Sequence, residues 1–279
     1  MTEQQVTVEP VGPTTAEIPP PPAKDRRVLR AVARWAAAAL VFGALGAGTA
    51  YGITTQERSD LPGLATEPDG RWDYPTLTLP PLPSGSPRPF EERNITESHH
   101  ADLRALVLPA PKRAKQDPSL VGKDGWLPTA TYLAQYETED REAVAGALAE
   151  RGLRHIAARG WTTPDGTRTR IFLLRFNGAA AADDFLTDGP GTSITPIRRL
   201  LDAGESELDE TFPAAANMDN INWYAYTEQE PYGNEHVRQA YIQAGDTIAL
   251  VVLAKDAKKG AVADVPFQQT VVLQSQLLS

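Results

Sequence analysis

Nineteen consecutive residues, Trp35 to Ile53, pass without a charge, and that run divides the rest of the chain. A helix of this length covers roughly 28 Å at about 1.5 Å per residue, close to the thickness of a bilayer core. Trp35 and Tyr51 stand near its two ends, where amphipathic rings favour the interface. Lys24, Arg26, Arg27, Arg30 and Arg34 precede it against Asp25 alone; Glu57, Asp60, Glu67 and Asp69 follow it against Arg58. A basic flank stays in the cytoplasm, so the expected topology is a single transmembrane helix over 35–53, N-terminus inside, remainder extracytoplasmic. A second reading competes. Arg26-Arg27 ahead of an Ala/Gly-rich stretch, with Gly48-Thr49-Ala50 as a cleavage site, matches an export signal and gives a secreted protein. Gly48 and Gly52, four apart, offer a small-residue stripe through which two spans could pair as a homodimer.

Around this run the chain sorts into zones. Residues 1–34 form a basic-ended tail; its first part, with Pro10, Pro13 and Pro19 to Pro22, has too little apolar surface to offset ordering entropy and is expected to be disordered. Residues 54–118 carry prolines at 62, 68, 75, 80, 81, 83, 87, 89, 109, 111 and 118. Proline breaks helices and central strands, so this stretch reads as an extended extracytoplasmic spacer. One short helix is expected near 96–107, capped by Asn94 or Thr96 and ended by Pro109. Residues 119–279 then form an exported domain expected to fold alone.

Composition removes several kinds of chemistry. The chain has no Cys, which excludes disulfides, thiolate metal sites, a cysteine nucleophile and a lipoprotein anchor. Its formal net charge is −9, which argues against nucleic acid and anionic membrane surfaces as partners.

Within 119–279 the texture alternates. Tyr132 to Tyr136 reads as a strand, and Thr138 caps a helix with Val144, Ala145 and Leu148 buried, stopped by Gly152. Arg154 to Thr163 and Thr167 to Phe176 flank Thr163-Pro164-Asp165-Gly166, residue types that specify a tight hairpin turn. A helix follows from Asn177 to about Leu186. Ile221 to Tyr226, Val237 to Gln243 and Thr247 to Leu253 read as three strands, the last pair turning at Gly245-Asp246. A final helix spans about Pro266 to Leu278, capped by Asp264. The fold class expected is α+β, an antiparallel sheet with helices packed on one face.

Leu103-Arg104-Ala105-Leu106-Val107-Leu108-Pro109-Ala110-Pro111-Lys112 running into Gly122-Lys123-Asp124-Gly125 resembles uncharacterised actinobacterial membrane or secreted proteins. Those carry a short basic tail, one span, a Pro-rich spacer and a small exported α+β domain. The element order is also similar to exported sensor domains of actinobacterial receptor kinases. The resemblance implies location rather than an activity.

Candidate chemistry is sparse. His99 and His100 could ligate a metal, but adjacent histidines on a helix diverge by about 100°, so a solvated polar helix is expected. Asp202, Glu205, Glu207, Asp209 and Glu210 supply oxygen ligands without the spacing of a calcium loop. His155 and His236, with Ser193 or Ser206, could assemble a hydrolase site from distant positions, though no G-x-S-x-G elbow surrounds either serine. No cofactor motif and no metal site is expected. Aromatics supply the binding candidate: Tyr224 and Tyr226 share one strand face by period-two alternation, with Tyr232 and Tyr241 close by. If that face is open, it forms a platform for a sugar ring or a peptide; if closed, the rings are core. The leading reading is a non-enzymatic single-pass envelope protein that presents a binding or sensory domain to a cell-wall or envelope partner. A cell-envelope hydrolase and a structural wall-associated protein are the alternatives.

Overall fold

The computed structural model describes residues 30–37, 39–41, 69–213 and 216–279. Residues 30–37 and 39–41 are helical. The N-terminal tail up to residue 29, most of the expected 35–53 span, its Gly48/Gly52 stripe and the first part of the spacer lie outside the described residues. Among the described residues no helix is long and apolar enough to cross a membrane. The chain divides into two compact units, Met1–Glu67 and Pro68–Ser279, and the second carries the elements below.

Seven antiparallel strands make one sheet: β1 (Lys115–Gln116), β2 (His155–Thr162), β3 (Arg168–Arg175), β4 (Ser206–Leu208), β5 (Ile221–Glu228), β6 (Glu235–Ala244) and β7 (Thr247–Asp256). Their spatial order is β1-β2-β3-β7-β6-β5-β4, which places β7 at the centre. Five helices accompany them: α1 (Leu103–Leu106), α2 (Thr129–Leu133), α3 (Arg141–Glu150), α4 (Ala179–Asp188) and α5 (Asp264–Leu278). The fold is α+β, as the alternation of hairpins and helices implies.

Two tight turns set the register. Between β2 and β3, Gly166 takes φ +86° and the Thr163 amide donates to the Thr167 carbonyl at 2.9 Å. The Asp165 carboxylate accepts the Thr167 hydroxyl at 2.7 Å. Between β6 and β7, Gly245 sits at φ +50°, and a Cβ there would stand 2.1 Å from the Glu97 carbonyl oxygen. Only glycine lets the 97–99 segment cross this turn, where the Asp246 amide donates to Glu97 O at 3.1 Å.

Alternate residues feed two separate cores. Ile171, Leu173, Ala240, Ile242, Ala249 and Val251 face α1 and α5. Phe172, Leu174, Tyr241, Ile248, Leu250 and Val252 face α2, α3 and α4. Helices therefore cover both faces of the sheet, which corrects the one-face arrangement expected. The cause is legible in β3 and β7, whose side chains are apolar on both sides, so neither side can be left to water.

The larger correction concerns the spacer. Leu103, Leu106, Val107 and Leu108 are at most 2% exposed and belong to the α5-side core. Trp72, Tyr74, Leu77, Leu82 and Phe90 pack against it. The compact unit therefore begins near residue 69, not at 119. Two glutamines of α5 make this possible by holding extended backbone that cannot join a sheet. Gln274 accepts the Leu108 amide at 2.9 Å and donates to the Leu106 carbonyl at 3.0 Å. Gln269 accepts the Trp72 amide at 2.8 Å and donates to its carbonyl at 3.0 Å. A proline-rich run can thus be a packed layer when side chains replace the missing ladder partners.

Local boundaries shift for identifiable reasons. The helix expected over 96–107 is only α1, capped by Asp102, because Asn94 spends its side chain on a turn, bonding Arg88 O, Ser98 O and Ser98 N. Tyr132 lies in α2 and Tyr136 just past the turn after it, at an isolated antiparallel bridge to Leu200, the two rings four residues apart on one side rather than alternating as in a strand. α3 begins at Arg141 and α4 after Gly178, neither with a side-chain cap, so Thr138 and Asn177 do not serve. Asp264 opens α5 from inside its first turn rather than capping it.

Candidate functional site

The expected tyrosine platform is packing. Tyr226 and Tyr241 are 0% exposed and belong to the core beneath α2–α4. Tyr224 is half-buried against the same core, across the strand pair from Tyr241. The hydroxyl of Tyr136 lies 2.8 Å from that of Tyr132 and 3.1 Å from that of Tyr241, and Tyr226 donates to the Ser193 carbonyl at 2.8 Å. Burial raises the pKa of all four phenols, that of Tyr226 to about 12. Tyr232 sits apart on the loop before β6, its ring 4.2 Å from His236.

The histidines do not assemble a hydrolytic set. His236 is 3% exposed, and its Nδ1 accepts the Val262 amide at 2.8 Å, so the lone pair a general base needs is already used. Among the described residues no hydrogen bond joins either serine to a histidine: Ser193 meets Tyr226, and Ser206 donates weakly to Gly204 O. His155 is exposed and stacks on Trp126 at 4.6 Å, while the Arg104 guanidinium lies 4.9 Å from the same indole. His99 departs from the solvated reading: it is 5% exposed, with Nδ1 2.7 Å from Asp246 Oδ1 and Nε2 2.9 Å from the Leu278 carbonyl. It pins the 97–99 segment to the β6–β7 turn and to the end of α5. In the acidic run, Asp209 is buried and paired with Arg238, whereas Asp202, Glu205, Glu207 and Glu210 are exposed. No group of three His, Cys, Asp or Glu side chains converges on a metal position among the described residues.

His236 gives a pH prediction. Burial, reinforced by the Arg238 charge and opposed by Asp264, lowers its pKa to about 4. The folded state then binds fewer protons than the unfolded chain between about pH 4 and the unfolded value near 6.5, so stability falls as pH drops through that window. The loss should reach roughly 3.5 kcal/mol over the whole window and about 2 kcal/mol between pH 7 and pH 5, at about 1.4 kcal/mol per unit of displacement. Melting curves at pH 7 and pH 5 should show it, and His236→Asn, which keeps an acceptor toward Val262, should flatten the dependence. An unchanged pH slope in that variant would remove His236 as the cause.

One solvent-open pocket carries unspent hydrogen-bonding capacity. A cavity of about 330 Å³ lies on the α2–α4 side of the sheet, lined by Thr195, Pro196, Arg199, Leu200, Ala203, Gly204, Glu205, Ser206 and Gln239. The loop between α4 and β4 forms its walls. That loop is held by the Leu201 amide on Gln135 O at 2.7 Å, by the Glu137 amide on Arg199 O at 3.0 Å, and by Gly204 on the Glu228 carboxylate. Its floor is β6. Gln239 is 2% exposed, and its Oε1 has no hydrogen-bond partner. A buried acceptor left unmade costs about 1–3 kcal/mol, so a purely structural role would favour an apolar residue here.

Sequence reasoning missed this residue. Across the strands Gln239 pairs with Val252 and Tyr226. β6 differs from β3 and β7 in placing His236, Arg238, Gln239 and Gln243 inside. That polar content was the signal available: a fully buried strand with a carboxamide in its middle.

No family model matches the chain, and no curated protein matches it. Among solved structures, the extracellular domain of PknH from Mycobacterium tuberculosis is similar at 10% identity and a TM-score of 0.30, covering 47% of this chain and 68% of that one. A putative uncharacterised protein from Mycobacterium smegmatis, an Rv0999 ortholog, is similar at 11% identity and a TM-score of 0.27, covering 61% of this chain and 79% of that one. Overlap this slight settles neither a shared fold nor a shared function.

Proposed function

We propose that the chain is a single-pass envelope protein whose extracytoplasmic unit is a binding or sensory module, taking a small molecule in the cavity over β6. The export half of this reading rests on the charge asymmetry around 35–53. The binding half rests on one observation, the unpartnered Gln239 carboxamide in a loop-walled cavity of about 330 Å³, a volume in the range of small-ligand sites. The hydrolase reading is weaker because His236 spends Nδ1 on the backbone and His155 stacks on Trp126.

Gln239→Leu separates function from packing. It removes the unmade acceptor while keeping similar volume, so the unliganded protein should melt a few degrees higher. A small-molecule extract of the envelope should raise the melting temperature of the full chain and leave the variant unmoved. No shift with the natural chain, or equal shifts in both, would overturn the proposal.

A further inference from the structure

We infer that the occupant of this cavity is a zwitterion: an amino acid or short peptide with a free ammonium and a free carboxylate. The inference rests on reading the cavity as a binding site and names what fits it. Three features of the lining must be answered at once. At the floor lies the Gln239 carboxamide, whose buried Oε1 has no donor. Rotating the carboxamide by half a turn presents a donor in its place, and a ligand with both N–H and carboxylate oxygen answers either arrangement. Along the walls, Arg199 and Glu205 bring one cation and one anion to the same small space. The third feature is apolar: Pro196, Leu200 and Ala203 line the remainder.

Both charges are available. Arg199 meets Glu139 at 3.3 Å, but the two side chains are 52% and 71% exposed, an ion pair of the kind that contributes little and exchanges readily. Glu205 is exposed and has no ion-pair partner among the described residues. A plain carboxylic acid would satisfy Arg199 and be repelled by Glu205, and a diamine would do the reverse. A neutral sugar would hydrogen-bond both groups through its hydroxyls but neutralise neither charge. A zwitterion meets all three features: carboxylate toward Arg199, ammonium toward Glu205 and the carboxamide, and a small apolar side chain against Leu200 and Ala203. The Thr195 and Ser206 hydroxyls add acceptors and donors at the same walls.

The test is a melting series on the full chain in detergent. The probes are free amino acids and dipeptides, the same compounds acetylated at the amine or amidated at the carboxylate, neutral sugars, and a diamine. Zwitterions should raise the melting temperature by about 5–10 °C at a hundredfold excess over their dissociation constant. Blocking either terminus should weaken binding at least tenfold. Arg199→Gln and Glu205→Gln, both at exposed positions, should weaken it similarly without lowering the unliganded melt. Gln239→Leu should abolish the shift. Equal binding of the blocked compounds, or a sugar or diamine shift lost in Gln239→Leu, would overturn the zwitterion and leave the site standing. A silent panel beside a positive envelope extract would do the same. Shifts that survive in Gln239→Leu would overturn both.

Discussion

A fragment beginning at Ser119 should fail to melt cooperatively, whereas one beginning at Asp69 should unfold in a single sharp transition. The shorter fragment loses Leu103, Leu106, Val107 and Leu108, all at most 2% exposed. At about 1.5–3 kcal/mol for each buried aliphatic side chain, roughly 6–12 kcal/mol leaves with them. That rivals the whole stability of an ordinary domain, about 5–15 kcal/mol. It also strips Gln269 and Gln274 of their partners and uncovers the part of that core not covered by α5. Near-ultraviolet circular dichroism and dye binding distinguish the outcomes. The short fragment should retain secondary structure with weak tertiary signal and exposed apolar surface. A sharp melt from it would show that 69–118 is a dispensable layer.

Arg238→Met is the second large effect. Arg238 is 3% exposed, its guanidinium held between Asp209 and Asp264 and lying 4.7 Å from the centre of the Phe267 ring. The Asp209 side chain is 2% exposed, that of Asp264 65%. Losing the arginine therefore strands one carboxylate, not two. Breaking a buried pair on one side typically costs about 3–5 kcal/mol, which for a unit of this size lowers the melting temperature by roughly 6–20 °C. Adding Asp209→Asn should recover much of the loss, because the amide oxygen can still accept the Thr211 amide now bonded at 3.0 Å while the charge is gone. A double variant no more stable than Arg238→Met would mean that the aliphatic stem and the stack on Phe267, not the stranded charge, carry the effect.

Much of the sheet is legible from short-range chemistry. Thr163-Pro164-Asp165-Gly166 and Gly245-Asp246 encode their turns in the residues that form them, so both hairpins follow with nearly the observed registers. The prolines of 69–118 misled because proline speaks only for its own backbone. It forbids a ladder there but does not forbid burial, and the groups that permit burial, Gln269 and Gln274, lie more than 160 residues away in sequence. The tyrosines illustrate another limit. Alternation correctly puts Tyr224 and Tyr226 on one side of β5, yet whether that side is covered depends on α2 to α4, and period two carries no information about a distant helix. Gln239 was hidden for a related reason. A buried glutamine can be recognised as unpaired only once every neighbour is placed.

The two outermost strands have a consequence for self-association. β1 is two residues long and carries Lys115, and β4 is three residues long and carries Glu207. Lateral growth of a sheet requires a long unpaired rim onto which another chain can add its own strand. Both rims here are short and each bears a charge, while the strands with the most apolar sequence, β3 and β7, are enclosed at the centre. Molecules at high local concentration are thereby discouraged from zipping edge to edge into fibres.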